Sequence, residues 1–246
     1  EKSTLDDEPG TPPRSSCAAA PAEPGQAIAD EPVEPSEQRH ARERRERLSV
    51  QREAARVCTR QYNEAARDWK AAAEQVSDQP QFARAATEGL TRALLGKMMV
   101  DGEVCIRVLS EVQGDRSTAH ALNVAVISML MGRVFGFGEA EMLDVGIGAL
   151  LHDIGKQELP ERVRHVDAHA SSVDLSLYRE HVARGVAQGK RMGLSSGALL
   201  VIGQHHEMAD NSGFPLKLGV DKMTAASRIV ALVNRYDNLC DPAQAA

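Results

Sequence analysis

The sequence predicts an all-α protein, a multi-helix bundle, on three observations. Apolar residues recur mostly every three to five positions over residues 37–77, the spacing of a helix that buries one face, and from about 117 to 240 apolar-rich segments follow one another that suit largely buried helices. No segment shows the apolar–polar alternation of a half-buried strand. Glycine-containing turns, at Asp101-Gly102 and at Gly136, separate the periodic stretches and favour helix ends there.

The first 36 residues differ in composition from the rest of the 246-residue chain. They contain eight acidic and two basic residues, which account for the whole net charge of −6, together with seven of the eleven prolines. A segment of this kind cannot bury enough apolar surface to offset its chain entropy, so we predict a disordered acidic linker over 1–36. The remaining chain is formally neutral, and its charge gives no reason to expect DNA binding.

Residues 37–112 are predicted to form an N-terminal helical region that leads into the core. One apolar stripe runs from Leu48 through Trp69 to Val76, and interleaved Arg and Glu residues are typical of a solvated face with local ion pairs. A second helical stretch covers 81–112, with a break at Asp101-Gly102.

The sequence predicts neither a membrane span nor a cysteine-based site. No apolar run approaches the ~20 residues that a spanning helix needs. The four cysteines have no paired spacing, so we expect neither a disulfide framework nor a zinc site built from cysteines. A reducing compartment, the cytoplasm, is therefore the predicted location.

Residues 113–246 are predicted to form a metal-binding helical domain. After the first helix, from about 117 to Gly136, the predicted helices are 139–152, 175–193, 195–207 and 222–240. Seven of the eight histidines lie between 120 and 206, namely His120, His152, His165, His169, His181, His205 and His206. A single histidine on a helix is usually a core or surface residue, but this concentration beside acidic residues favours a metal site.

The segment from Leu150 to Lys156 reads LLHDIGK and delivers an adjacent His and Asp from the end of an apolar helix. The Asp153 carboxylate could bridge two metal ions beside His152, and Lys156 could bring a positive charge to a phosphate. Taken alone, the segment is equally compatible with an ordinary helix end, where His and Lys complement the helix dipole.

The segment from His205 to Pro215 reads HHEMADNSGFP, with two histidines at a helix end followed by a turn-rich loop. Alone, it is compatible with surface histidines at a helix C-terminus. Together with the first segment, His120 and His181, it resembles the HD-GYP branch of the HD phosphohydrolase superfamily. Members typically read HD-x-GK, a later His, and HHE-x-x-DGSGYP. The 29-residue step from His152 to His181 agrees with the family spacing.

The resemblance covers roughly residues 110–240 and implies an HD-type helical bundle that holds two divalent metal ions, iron or manganese. The implied ligands are His120, His152, Asp153 and position 234 for the first metal, and Asp153, His181, His205 and His206 for the second. Nitrogen ligands with a bridging carboxylate suit these metals better than magnesium. The region before residue 113 also resembles family members that carry a small regulatory domain upstream.

The resemblance further implies hydrolysis of the bacterial messenger cyclic di-GMP to pGpG or GMP. Lys156 would contact the scissile phosphate next to Asp153, and Asp210 would orient a ligand or relay a proton. The loop of Gly213, Phe214 and Pro215 would form one wall of the nucleotide site. The partners expected from the resemblance are a diguanylate cyclase domain, a response regulator, or a second copy of the chain in a homodimer.

The chain departs from the family pattern at several positions. Asn234 stands where the family has a metal-binding Asp, which removes a charge partner of the first metal, and Asp237 lies one turn further as a substitute ligand or a structural residue. Phe214 keeps an aromatic ring but lacks the tyrosine hydroxyl. Asn211 replaces a glycine, and asparagine tolerates the left-handed backbone angles for which a glycine is usual. Val166 to His169 replace the family's proline-glycine loop, and His165 and His169 are predicted to be exposed.

Two classes of function follow from this pattern. Five retained histidines with Asp153 and Lys156 favour an active metal-dependent phosphodiesterase. Asn234 and the altered loops favour a catalytically degenerate domain that binds a cyclic dinucleotide or a partner protein. A third class, an HD hydrolase of another phosphoester, is disfavoured by the segment from His205 to Pro215.

Overall fold

The computed structural model describes residues 36–100, 115–165 and 170–240. Within these ranges the protein contains helices and no β-strand, and an isolated bridge joins Asp210 to Gly219. The all-α prediction is therefore confirmed. The predicted break at Asp101-Gly102, residues 166–169, and all but the last residue of the predicted linker lie outside the described residues.

The described residues contain seven α-helices, which agree with the predicted stretches to within a few residues, except that residues 101–112 of the second predicted stretch lie outside the described residues. Their bounds are α1 Ser36–Glu74, α2 Pro80–Val100, α3 Arg116–Val134, α4 Glu139–Leu151, α5 Ser172–Met192, α6 Ser196–Gln204 and α7 Ala225–Leu239. Short 3-10 turns cover Ile154–Glu158, Glu161–Val163 and Val220–Lys222. None of the described helices combines the length and the apolar character that a membrane crossing requires.

Side-chain caps fix where four of these helices begin. Asp115, Ser171, Ser195 and Thr224 each accept a hydrogen bond from a backbone N–H in the first turn of the following helix. Such caps satisfy donors that the helix itself leaves unpaired. At the other end of α5, Gly193 adopts φ 73°, the left-handed conformation that glycine favours at helix C-termini.

The chain divides into two units, residues 1–46 and residues 47–246. The described part of the first, residues 36–46, is the exposed start of α1. The second unit contains the core, in which α4 packs against α3 and α6, and α7 packs against α3. Its largest fully buried apolar side chains include Leu122, Met129, Leu150, Leu151 and Ile202.

The turn after α4 lies directly against α5, and Gly155 is the residue that permits this approach. A Cβ atom at Gly155 would collide with the backbone of His181 and would lie 2.5 Å from the nitrogen of Gly185. Only glycine fits so close a contact between two backbones. The packing brings the His-Asp pair at the end of α4 next to the histidine of α5.

Candidate metal centre

Five helices bring the predicted ligands to one place in the second unit. α3 contributes His120, the end of α4 and its following turn contribute His152 and Asp153, α5 contributes His181, the end of α6 contributes His205 and His206, and α7 contributes Asn234. Two groups of potential ligands result, within each of which the ligand atoms lie within 4.8 Å of one another. They are His120, His152 and Asp153, and Asp153, His181, His205 and His206.

Asp153 belongs to both groups, and each of its carboxylate oxygens faces one of them. Oδ2 lies 3.4 Å from Nε2 of His152 and Oδ1 lies 3.4 Å from Nε2 of His181. Oδ1 is buried and has no hydrogen-bond partner among the described residues. A buried carboxylate oxygen without a donor is costly, so this atom is suited to a cation.

Local hydrogen bonds orient three of the histidine rings. Nδ1 of His152, His181 and His205 lies 2.7, 2.5 and 2.7 Å from the main-chain carbonyl oxygen three residues earlier. A carbonyl oxygen can only accept, so Nδ1 carries the proton and donates it. Nε2 is left with its lone pair directed at the centre, the form in which histidine binds metal.

The ring of His120 is held in a different way, by Asp237 on α7. Its Nδ1 lies 2.6 Å from Oδ2 of Asp237, while its Nε2 lies 3.0 Å from Oδ1 of Asn234. Asn123 donates to the other oxygen of Asp237 at 3.0 Å. The Asp237 carboxylate therefore binds the ring nitrogen that points away from the centre. A residue in this position orients a metal ligand instead of binding the metal itself.

The donor set fits a pair of divalent metal ions. Nε2 of His120 lies 3.2 Å from Nε2 of His152, and Nε2 of His181 lies 3.2 Å from Nε2 of His205. When every Nδ1 carries the proton, both nitrogens of such a pair present lone pairs, and neither can donate to the other. A cation between them removes this repulsion, and imidazole with carboxylate suits transition metals.

The electrostatics of the centre favour the ligating forms. Burial lowers the pKa of His181 to about 3 and lowers the pKa of His205 and His206 as well, so these rings are neutral near pH 7. Burial alone would raise the pKa of Asp153, but Lys156 and His152 together hold it well below its usual range. Neutral imidazoles and a charged carboxylate are the states that bind metal.

Lys156 lies at the edge of the centre, one turn after Asp153. Its Nζ donates to Oδ2 of Asp153 at 2.6 Å and lies 5.1 Å from the ring centroid of Tyr178. Burial alone would lower the pKa of this ammonium, but the Asp153 carboxylate raises it, so Lys156 carries a charge near neutral pH. A fixed positive charge beside the histidines is suited to an anionic ligand.

The loop after α6 packs against the centre through Phe214. The ring of Phe214 stacks on His206 with centroids 4.4 Å apart. Gly213 permits this fold, because a Cβ atom there would lie 2.5 Å from the backbone oxygen of His206. Asn211 has φ 66°, as its replacement of a glycine predicted, and Pro215 is exposed.

Glu207 holds this loop in place, a role that sequence reasoning missed and for which no sequence signal was present. Its side chain is 1% exposed, and its two oxygens accept hydrogen bonds from the backbone nitrogens of Leu216 at 2.7 Å and Leu218 at 2.8 Å. Tyr178 is the second residue that sequence reasoning missed. A weak signal existed for it, since a side chain three residues before His181 shares its helix face.

Asp210 is exposed and lies in the loop rather than against the histidines. Its Oδ1 accepts from the backbone nitrogen of Ser212 at 3.0 Å and from the Ser212 hydroxyl at 2.5 Å. These contacts shape the turn, and a proton-relay role for Asp210 stays a prediction. His165 is exposed, as predicted, and His169 lies outside the described residues.

Comparison with known proteins places this chain in a family. The HD domain family model matches residues 103–245, more than half of the chain. The chain is 28% identical over 132 residues to the 3'3'-cGAMP-specific phosphodiesterase 2 of Vibrio cholerae, an alignment covering 52% of this chain and 25% of that protein. It is 25% identical over 132 residues to the cyclic di-GMP phosphodiesterase response regulator RpfG of Xanthomonas campestris, covering 52% and 35%.

The fold also matches a solved structure, that of Bd1817, described as a HDG"Y"P protein from Bdellovibrio bacteriovorus. The TM-score is 0.62 at 19% identity, and the match covers 72% of this chain and 58% of that one. The chain spans only about a quarter to a third of the length of the two relatives above. These findings confirm the resemblance predicted from the motifs. The chain belongs to the HD domain family.

Proposed function

We propose that this chain is a metal-dependent phosphodiesterase that hydrolyses cyclic di-GMP to pGpG or GMP. The observation that carries the proposal is Asp153, whose two oxygens face separate histidine groups while Lys156 donates to one of them. Hydrolysis of a phosphodiester by a two-metal mechanism uses a pair of cations, and a nearby positive charge can bind the phosphate; this arrangement offers a place for each. The names of the related phosphodiesterases support the same reaction class.

Each group of residues would have a separate role in this reaction. His120, His152 and Asn234 with one oxygen of Asp153 would hold one metal ion, and His181, His205 and His206 with the other oxygen would hold the second. The metal pair would supply a charged clamp for the phosphodiester and an activated water. Lys156 would bind a phosphate oxygen and so orient the scissile bond, and the loop at Phe214 would wall the site. Iron or manganese suits this donor set.

The test is anaerobic purification with quantification of bound metal, followed by turnover of cyclic di-GMP. We expect about two metal ions per chain and conversion to pGpG or GMP. Assaying 3'3'-cGAMP in parallel determines which cyclic dinucleotide is preferred, because one related phosphodiesterase is named for that substrate. Two bound metals without turnover of either dinucleotide would contradict the enzymatic proposal. A cytoplasmic location, and a diguanylate cyclase or response regulator as partner, stay predictions from the family resemblance.

One observation favours a second candidate function, a cyclic dinucleotide sensor without catalysis. Asn234 offers a neutral amide oxygen at the first metal position, 3.0 Å from Nε2 of His120, where the family pattern has a carboxylate. A neutral ligand weakens the hold on a divalent cation. Calorimetric binding of cyclic di-GMP to a protein that fails to turn it over would support this alternative.

A further inference from the structure

We propose that Tyr178 on α5 is a phosphate-binding residue, and that its hydroxyl serves the site in place of the one absent from Phe214. The inference rests on the proposed function and goes beyond it by assigning a substrate contact to a residue outside the HD and GYP-like segments. The ligand group is a phosphodiester oxygen of the cyclic dinucleotide, bound between Tyr178 and Lys156.

The position of the Tyr178 side chain supports this assignment. Its hydroxyl lies 3.5 Å from Nε2 of His206, and its ring lies 5.1 Å from Nζ of Lys156 and packs on His181 with centroids 4.7 Å apart. The phenol thus touches two candidate metal ligands and the candidate phosphate-binding lysine. A substrate that reaches the metal ligands and Lys156 together passes beside this hydroxyl.

The Tyr178 hydroxyl can donate a hydrogen bond to a ligand. Lys156 carries only donors, so the phenol proton cannot be given to it. Among the described residues, the acceptor recorded near this hydroxyl is Nε2 of His206, at the long limit of a hydrogen bond, and that nitrogen belongs to the metal donor set. A part-buried O–H without a good protein acceptor favours one in a ligand, and a phosphate oxygen is a strong acceptor.

Phe214, the neighbouring aromatic residue of the site, carries no hydroxyl of its own. The rings of Phe214 and Tyr178 meet in an edge arrangement, with centroids 6.4 Å apart, and both rings contact His206. The family pattern places a tyrosine where Phe214 stands. The aromatic wall of the site therefore keeps one hydroxyl, carried by the neighbouring helix instead of by the loop.

The test uses Tyr178→Phe, Phe214→Tyr and the double variant in the metal-loaded chain. Tyr236→Phe is the matched control, because that tyrosine is exposed on α7. We measure kcat and KM for cyclic di-GMP, bound metal and the melting temperature. Tyr178→Phe should lower kcat/KM about 10- to 100-fold, the size of a lost hydrogen bond to a charged group, with metal content and melting temperature unchanged. The double variant should recover part of the loss.

The outcomes separate this proposal from the function on which it rests. A wild-type chain that neither binds nor hydrolyses a cyclic dinucleotide overturns both. A wild-type chain that is active, with Tyr178→Phe within twofold of it, overturns the Tyr178 assignment alone. A loss of activity that follows metal content or melting temperature also overturns it, because the residue would then act through packing. Failure of Phe214→Tyr to rescue overturns the replacement of one hydroxyl by the other.

Discussion

The carboxylate of Asp237 lies 2.6 Å from Nδ1 of His120, although 117 residues separate them in the chain. The contact orients His120 and increases the electron density that its Nε2 offers to a metal. It also places a negative charge next to the first metal position, where Asn234 itself supplies none. The Asp237 carboxylate therefore acts on the first metal position through the His120 ring and not as a ligand itself.

Asp237→Asn should therefore weaken metal binding at the first position by about 10- to 100-fold, the usual effect of removing such a partner. The second position should keep its affinity, because two of its three histidines, His181 and His205, are held by main-chain carbonyls and none contacts Asp237. Metal titration followed by calorimetry measures both. Asp68→Asn, on the exposed side of α1, is the control. Equal loss at both positions would contradict this division.

Asn234→Asp should strengthen the first position. Its side-chain oxygen already lies 3.0 Å from Nε2 of His120 and accepts from Asn238 at 2.9 Å, so a carboxylate would fit with one oxygen held in place. The added charge should raise metal occupancy at this position and also turnover. Elemental analysis after dialysis measures the change, with the exposed Asn63→Asp as control. No change in either quantity would mean that position 234 is not a ligand position.

Asp153→Ala should empty both positions, since one carboxylate faces both histidine groups. The remaining neutral histidines would have to hold divalent ions without an anionic ligand. Metal content should fall from about two ions per chain to near zero, and activity with it, while Asp221→Asn should have no effect. Unchanged metal content would falsify the dinuclear arrangement.

The metal-free protein should lose stability as the pH falls below about 6.5. The pKa of His181 is 6.5 in an exposed setting and about 3 in the fold because of burial, so between these values the unfolded chain binds a proton that the folded chain does not. The stability is present above pH 6.5 and is lost progressively towards pH 3. Melting temperatures in EDTA from pH 8 to pH 4 measure it, and His181→Gln should flatten the decline. A melting temperature independent of pH would contradict the assignment.

Glu207→Gln should loosen the loop that carries Phe214. An amide keeps one acceptor oxygen but turns its NH2 group towards one of two backbone donors, leaving Leu216 or Leu218 unsatisfied. A buried donor without a partner costs about 1–3 kcal/mol. We expect a lower melting temperature and a raised KM with metal content retained, whereas Glu139→Gln, exposed at the start of α4, should change none of these. Unaltered KM would show that the loop does not touch the substrate.

The sequence alone determined the helices and the types of ligand. Helical periodicity and caps are local properties, so α3 to α7 could be predicted to within a few residues from spacing and from turn residues such as Gly136. The histidines were recognisable because seven of them fall in one helical stretch beside acidic residues. The family pattern then indicated which of them gather around Asp153.

The tertiary structure alone decided which side-chain atoms of the site contact one another. Four features of the site depend on how the helices pack. They are the position of Asp153 between two histidine groups, the contact of Asp237 with His120, the hydrogen bonds from the loop to Glu207, and the contacts of Tyr178 with the site. Helix packing is set by side-chain volumes and close backbone approaches, such as that of Gly155 to α5, between segments far apart in the chain. No local pattern encodes such distances, so a sequence can name the ligands of this centre but not the residues that orient them.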